Sequence, residues 1–263
     1  MSAVKRLATR RASSVEVSEE KGMRTLHLGG NAIQSAMSLD DPDSLALDYT
    51  QAMMAFALFV PSPRDVMVIG LGGGSLAKFV HRRMAPARVV AVEINPQVAA
   101  AARSFFDLPR EDERFAVVIG DGAKYVPQHP ASADVMLVDG FEDGRVVSEL
   151  CTQRFYDASF DALRSVGVMV ANFIAEEPRF GIYLARIEKA FAGRVLLFPA
   201  EDRVNMIVLA IKGAPTRYAI DSLKAQARAQ KRRLGLPFDE IVRDLVAFNP
   251  SSAAHLKCRR PGF

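Results

Sequence analysis

From residue 66 onward the sequence alternates short apolar runs with amphipathic stretches. That pattern commits a chain to a largely parallel sheet covered by helices on both faces. The runs predict strands at Val66–Ile69, Val89–Glu93, Ala116–Ile119, Val135–Val138, Val166–Phe173, Arg194–Phe198 and Asn205–Ile211. Helices are expected at Ser75–Arg83, Pro96–Phe106, Thr152–Leu163 and Gly181–Phe191. Only Pro199–Val204 separates the last two strands, too little for a crossover helix, so they are expected to pair as an antiparallel hairpin. The expectation is an α/β, Rossmann-like sheet of seven strands, five parallel and two in a terminal hairpin. A nicotinamide-binding sheet would instead add a sixth parallel strand after another helix.

Around this region the chain divides by pattern. Residues 1–14 are expected to be a disordered tail. Residues 15–62 hold a short β-hairpin, Val15–Glu19 with Arg24–Leu28 across Glu20-Lys21-Gly22, and a helix over Asp43–Phe59 capped by the Asp-rich segment before it. Residues 63–212 form the α/β domain, and 213–263 a basic helical extension with helices at Tyr218–Arg233 and Phe238–Phe248.

The formal charge of +4 invites a nucleic-acid reading, but the charge is unevenly placed. The first 14 residues carry four Lys/Arg and no acid, and residues 212–263 carry eleven Lys/Arg against four Asp/Glu. The body between them has 19 bases and 26 acids, so a cationic small molecule suits it and nucleic acid is not expected as a partner. The apolar run Ala52–Val60 is under half the roughly 20 residues of a membrane helix. The basic start lacks an apolar segment after it, as a secretory signal would need. Cys151 and Cys258 make no disulfide framework. A cytoplasmic protein away from membranes is expected.

The first strand of the α/β region runs into Gly70-Leu71-Gly72-Gly73-Gly74-Ser75. Glycines there permit a sharp strand-to-helix turn and let a ligand touch the backbone. The dinucleotide fingerprint wants its third glycine where this chain has Ser75. Glu93 ends the next strand, where a carboxylate can accept hydrogen bonds from both ribose hydroxyls. The third strand ends in Gly120-Asp121-Gly122, with a carboxylate beside an expected adenine. Glycine loop, ribose acid and adenine acid on successive strand ends indicate a nucleoside-sulfonium site on a sheet of the AdoMet-methyltransferase type. His27, His81, His129 and His255 show no metal-ligand spacing, so no metal is expected. There is no G-x-S-x-G for a hydrolase.

These residues resemble the spermidine synthase (polyamine aminopropyltransferase) family, in a divergent bacterial subgroup. The resemblance runs from about Val15 to Lys212. It is carried by Asn31-Ala32-Ile33-Gln34, Tyr49, Pro63 through Gly74, Val92-Glu93-Ile94, Gly120-Asp121-Gly122, Asp134 through Asp139, Phe155-Tyr156 and Gly167. It implies that Gln34, Gly70, Gly72, Gly74, Glu93, Asp121 and Gly122 bind the sulfonium ligand, with Gln34 contacting it directly. It implies that Asp139 activates an attacking amine. Three departures stand out. Gly73 replaces the family Asp that contacts the aminopropyl end of decarboxylated AdoMet. The family's D-S-S-D-P becomes Asp139-Gly140-Phe141-Glu142-Asp143. The family's Tyr-His-Glu triplet is absent, and Tyr49 matches its Tyr only after a one-residue shift.

The implied reaction moves an aminopropyl group from decarboxylated AdoMet to a diamine such as putrescine. Asp139 and Tyr49 are the catalytic candidates; Tyr49 could orient an amine, but its place on an apolar helix fits the core slightly better. Glu142 and Asp143 are candidates for the diamine's distal ammonium, or else a solvated loop. A methyltransferase using AdoMet itself is the rival reading, favoured by the departures; a non-catalytic nucleoside-binding relative is another, and an RNA-modifying enzyme a minor one. Lys231-Arg232-Arg233 reads as a solvated helix face or a contact for an anionic partner or a second copy. A homodimer is expected from the family resemblance alone.

Overall fold

The computed structural model describes residues 15–28, 33–142, 145–201, 203–213 and 215–259, without the side chains of Glu142 and Arg145. The expected tail at 1–14 lies outside them, as do Asn31, Ala32 and Asp143.

The chain opens with β1 (Val15–Glu20), β2 (Met23–Leu28) and β3 (Ile33–Ser38), followed by α1 (Asp48–Met53) and a 3-10 turn over Met54–Leu58. Then come β4 (Asp65–Ile69), α2 (Ser75–Arg83), β5 (Arg88–Glu93), α3 (Pro96–Phe105), β6 (Phe115–Ile119), α4 (Gly122–Tyr125) and β7 (Ala133–Val138). A small pair, β8 (Phe141–Glu142) and β9 (Arg145–Val146), precedes α5 (Gln153–Ala162), β10 (Leu163–Ile174), α6 (Phe180–Ala190), β11 (Val195–Pro199) and β12 (Asn205–Lys212). The chain closes with β13 (Arg217–Ala219), α7 (Ile220–Leu234), α8 (Phe238–Phe248) and β14 (His255–Lys257).

The central sheet has seven strands in the order β11-β12-β10-β7-β4-β5-β6. Pairings among β10, β7, β4, β5 and β6 are parallel, while β12 runs antiparallel to both β10 and β11. Successive residues of the inner strands bury against opposite layers. Val66, Val68, Val135, Leu137, Val168 and Val170 face the layer holding α2, α7 and α8. Met67, Ile69, Met136, Val138, Met169 and Ala171 face α5 and α6. The Val, Leu, Ile and Met side chains among them each contribute about 1.5–3 kcal/mol on burial. The C-terminal helices share the first of these cores through Leu223, Ala227, Phe238, Ile241 and Leu245. Asn249 fastens the end of α8 to the edge strand, accepting from Leu197 N at 3.0 Å and donating to Leu197 O at 2.6 Å.

Two expectations at the N-terminal end need correction. The hairpin is a three-stranded meander, because β3 pairs antiparallel with β2. The meander packs on α3, with Leu26 and Met37 against Val98, Ala101 and Phe106. The helix expected over Asp43–Phe59 is α-helical only from Asp48 to Met53, then tightens to 3-10. Its N-cap is Leu47, with no side-chain cap. Asp43 is instead drawn to Arg82 on α2. Four short strands, β8, β9, β13 and β14, lie outside the expected elements.

The basic run on α7 is an exposed face, on which Lys231 pairs with Asp239 at 2.8 Å and Arg233 donates to Pro61 O at 2.5 Å.

Candidate active site

All five parallel strands point their carboxyl ends at one cleft of about 490 Å³, the place where an open α/β sheet binds its ligand. Its floor is the glycine loop between β4 and α2. Gly70 has φ +90°, and a Cβ there would overlap the Asp139 carbonyl oxygen. This glycine therefore allows the ends of β4 and β7 to close on each other. Gly72, at φ +53°, approaches Ser35 of β3 equally closely, and Ser35 Oγ accepts from Gly73 N at 2.8 Å. Gly74, expected at the site, is not among the residues lining the cleft; a Cβ there would overlap Leu108, so loop packing requires this glycine.

Glu93 is buried, and both carboxylate oxygens already hold backbone. Oε2 accepts from Leu71 N at 2.9 Å and Oε1 from Asn95 N at 2.8 Å. Each oxygen keeps a further lone pair toward the cleft, so the fit to a pair of ribose hydroxyls survives. Asp121 caps α4, accepting from Ala123 N at 2.9 Å, and meets Lys124 at 3.3 Å while lining the cleft with Gly120 and Gly122. Gln34 lines the opposite wall from β3.

Beyond β7 lies the densest chemistry. Asp139 sits deep in the cleft and takes one donor on each oxygen: Tyr49 Oη at 3.2 Å on Oδ2, and Asn172 Nδ2 at 2.9 Å on Oδ1. Burial pushes its carboxyl above the ordinary range, and these two hydrogen bonds pull the other way. Tyr49 is pushed well above the usual phenol value, first by burial and then by the neighbouring Asp139 charge. It therefore stays protonated and donates. Asn205 Nδ2 continues the chain by donating to Asn172 Oδ1 at 2.9 Å.

The expected Gln34, Tyr49, Gly70, Gly72, Glu93, Asp121, Gly122 and Asp139 thus converge on one cleft. Glu142 is placed by its backbone in β8, opposite Arg145, and its side chain is not described. Asn172, Asn205 and Asp48, which no sequence motif marks, also line the cleft. For Asn172 a signal existed: a carboxamide within the apolar stretch 168–174. Among the described residues, no group of three or more His, Cys, Asp or Glu side chains converges as a metal site would.

The strand order and the strand-end cleft define the fold class as methyltransferase-like α/β. Human methyltransferase-like protein 13, solved in complex with SAH, superposes with a TM-score of 0.65 at 26% identity, covering 73% of this chain and 94% of that one. A spermidine synthase in complex with the transition state analogue AdoDATO gives a TM-score of 0.64 at 23% identity, covering 90% of this chain and 85% of that one. The family model of the spermine/spermidine synthase domain matches residues 47–191. A polyamine aminopropyltransferase of Chromobacterium violaceum is 42% identical over 242 residues, covering 92% of this chain and 93% of its own. The chain belongs to the spermine/spermidine synthase family.

Proposed function

We propose that this protein is a polyamine aminopropyltransferase, moving the aminopropyl group of decarboxylated AdoMet to a diamine such as putrescine. The amine nitrogen attacks the aminopropyl carbon bonded to sulfur. The carbon–sulfur bond breaks, its electron pair stays on sulfur as a neutral thioether, and the positive charge passes to the nitrogen as a secondary ammonium. A primary ammonium has a pKa near 10, so it must lose one proton before attacking. Asp139, held by a donor on each oxygen, is the acceptor for that proton, and this arrangement carries the reading. Tyr49 orients the carboxylate, and Glu93, Asp121 and Gln34 with Gly70, Gly72 and Gly122 hold the nucleoside. Glu142 and Asp143 take the distal ammonium.

The protein works as a cytoplasmic homodimer, and its sequence units are 15–62, 63–212 and 213–263. Both cysteines are free and buried, in keeping with a reducing compartment. The test is to incubate the protein with AdoMet or decarboxylated AdoMet and a panel of amines, then identify products by mass spectrometry. Spermidine from putrescine and decarboxylated AdoMet, lost in Asp139→Asn, is expected. A methylated product formed from AdoMet instead would overturn the reading.

A further inference from the structure

We propose that Asn205, on the antiparallel strand β12, is a positioning residue that sets the proton affinity of Asp139 through the side chain of Asn172. The proposal rests on Asp139 being the proton acceptor of the reaction. An ionised carboxylate only accepts hydrogen bonds, so the group that Asn172 turns toward Asp139 has to be its NH2. That orientation points Asn172 Oδ1 the other way, and Asn205 Nδ2 meets it at 2.9 Å. The polarity runs one way along three side chains: Asn205 donates to Asn172, and Asn172 donates to Asp139.

The strand register brings this about. Across β10 and β12, Asn172 stands opposite Ile207 and Ile174 opposite Asn205, so the two carboxamides are diagonal neighbours. They are 4% and 7% exposed, beside the buried apolar residues Ala171, Phe173 and Ile207 of the same two strands. A carboxamide at such a depth costs free energy unless it is paired. Without Asn205, nothing in this chain of bonds holds the Asn172 amide against turning over. Turned over, it would set its oxygen against the carboxylate, and Asp139 would be relieved by keeping its proton. The titratable groups around Asp139 are Tyr49, which donates to it, and the carboxylates of Asp48, Glu93 and Asp121, which line the same cleft.

The test is the pH dependence of kcat at saturating putrescine and decarboxylated AdoMet, for the wild type, Asn205→Asp, Asn205→Ala and Asp139→Asn. In Asn205→Asp the new carboxylate attracts the Asn172 NH2, and the acid limb should move up by about one pH unit. In Asn205→Ala it should move up by a smaller step, which keeps the proposal testable if the first variant fails to fold. KM for putrescine should change less than twofold in both. An acid limb that stays in place while kcat falls equally at every pH overturns the positioning role. Retention of the wild-type profile in Asp139→Asn would instead overturn Asp139 as the acceptor, so the two failures are distinguishable.

Discussion

The Tyr49 hydroxyl reaches the Asp139 carboxylate at 3.2 Å, joining the helix that precedes the sheet to the end of β7. A contact between residues so distant in sequence gives α1 a chemical as well as a packing role. Tyr49→Phe removes one of the two donors on Asp139, and kcat should fall by about 10- to 100-fold. The acid limb of the rate profile should move up, since a donor to the charged form is lost. Because burial holds the Tyr49 phenol protonated, no second ionisation from it should appear below pH 10 in the wild type. Steady-state rates across pH check both statements.

Asp139→Asn should abolish turnover while making the fold more stable. The Asp139 pKa is raised by burial above its unfolded value. Its favourable contribution is therefore full below the unfolded pKa and lost as pH rises through the folded one. At pH 7 the ionised carboxylate is a net cost; the amide variant removes it, with its oxygen on Asn172 Nδ2 and its NH2 on the Tyr49 hydroxyl, which accepts as well as donates. Calorimetry should show a higher Tm for the variant at pH 7 and a gap that closes toward pH 4. A lower Tm at pH 7 would contradict the account.

Glu93→Gln leaves the carboxylate's two backbone partners facing a side chain with one acceptor end. Either Leu71 N or Asn95 N loses its bond, at a cost of about 1–3 kcal/mol. The glycine loop loosens and the ribose seat is spoiled together. Titration calorimetry with methylthioadenosine should show affinity reduced at least tenfold, alongside a lower urea midpoint.

Gly73→Asp restores the residue common in the family, yet it should not raise activity. A Cβ at Gly73 would lie 2.8 Å from Phe106 Cδ1 and 3.1 Å from Ser35 Cβ. Phe106 is fully buried, and its carbonyl is fixed by the Lys78 ammonium at 2.8 Å, so it has little room to retreat. Destabilisation of about 2–4 kcal/mol is expected, with kcat for aminopropyl transfer at or below the wild-type value. A urea melt and a rate measurement settle it.

Much of this architecture was legible because the apolar runs are long and periodic. Ser75–Arg83 and Phe238–Phe248 were read to the residue, and the sheet's terminal hairpin followed from a short connection. β3 escaped notice because Gln34-Ser35-Ala36 carries little strand preference; its partner β2 holds it in place. The start of α1 was misread because acidic residues before an apolar run imitate a cap, while Asp43 answers to Arg82, 39 residues away. Residues at strand ends behind recognisable glycines could be placed on one cleft from the sequence. Asn172 and Asn205 could not, since their meaning lies in a pairing 33 residues apart that only the sheet register creates.

Neighbouring residues of β3 turn in two directions: Gln34 lines the cleft, and Ser35 takes the Gly73 amide into its hydroxyl. The meander is thus half of a clamp whose other half is the glycine loop. Removing β1, β2 and β3 would uncover Val98, Ala101 and Phe106 of the α3 region and leave half a binding site. Any attempt to transplant new specificity onto this scaffold has to carry the meander along with the loop, as one exchangeable part.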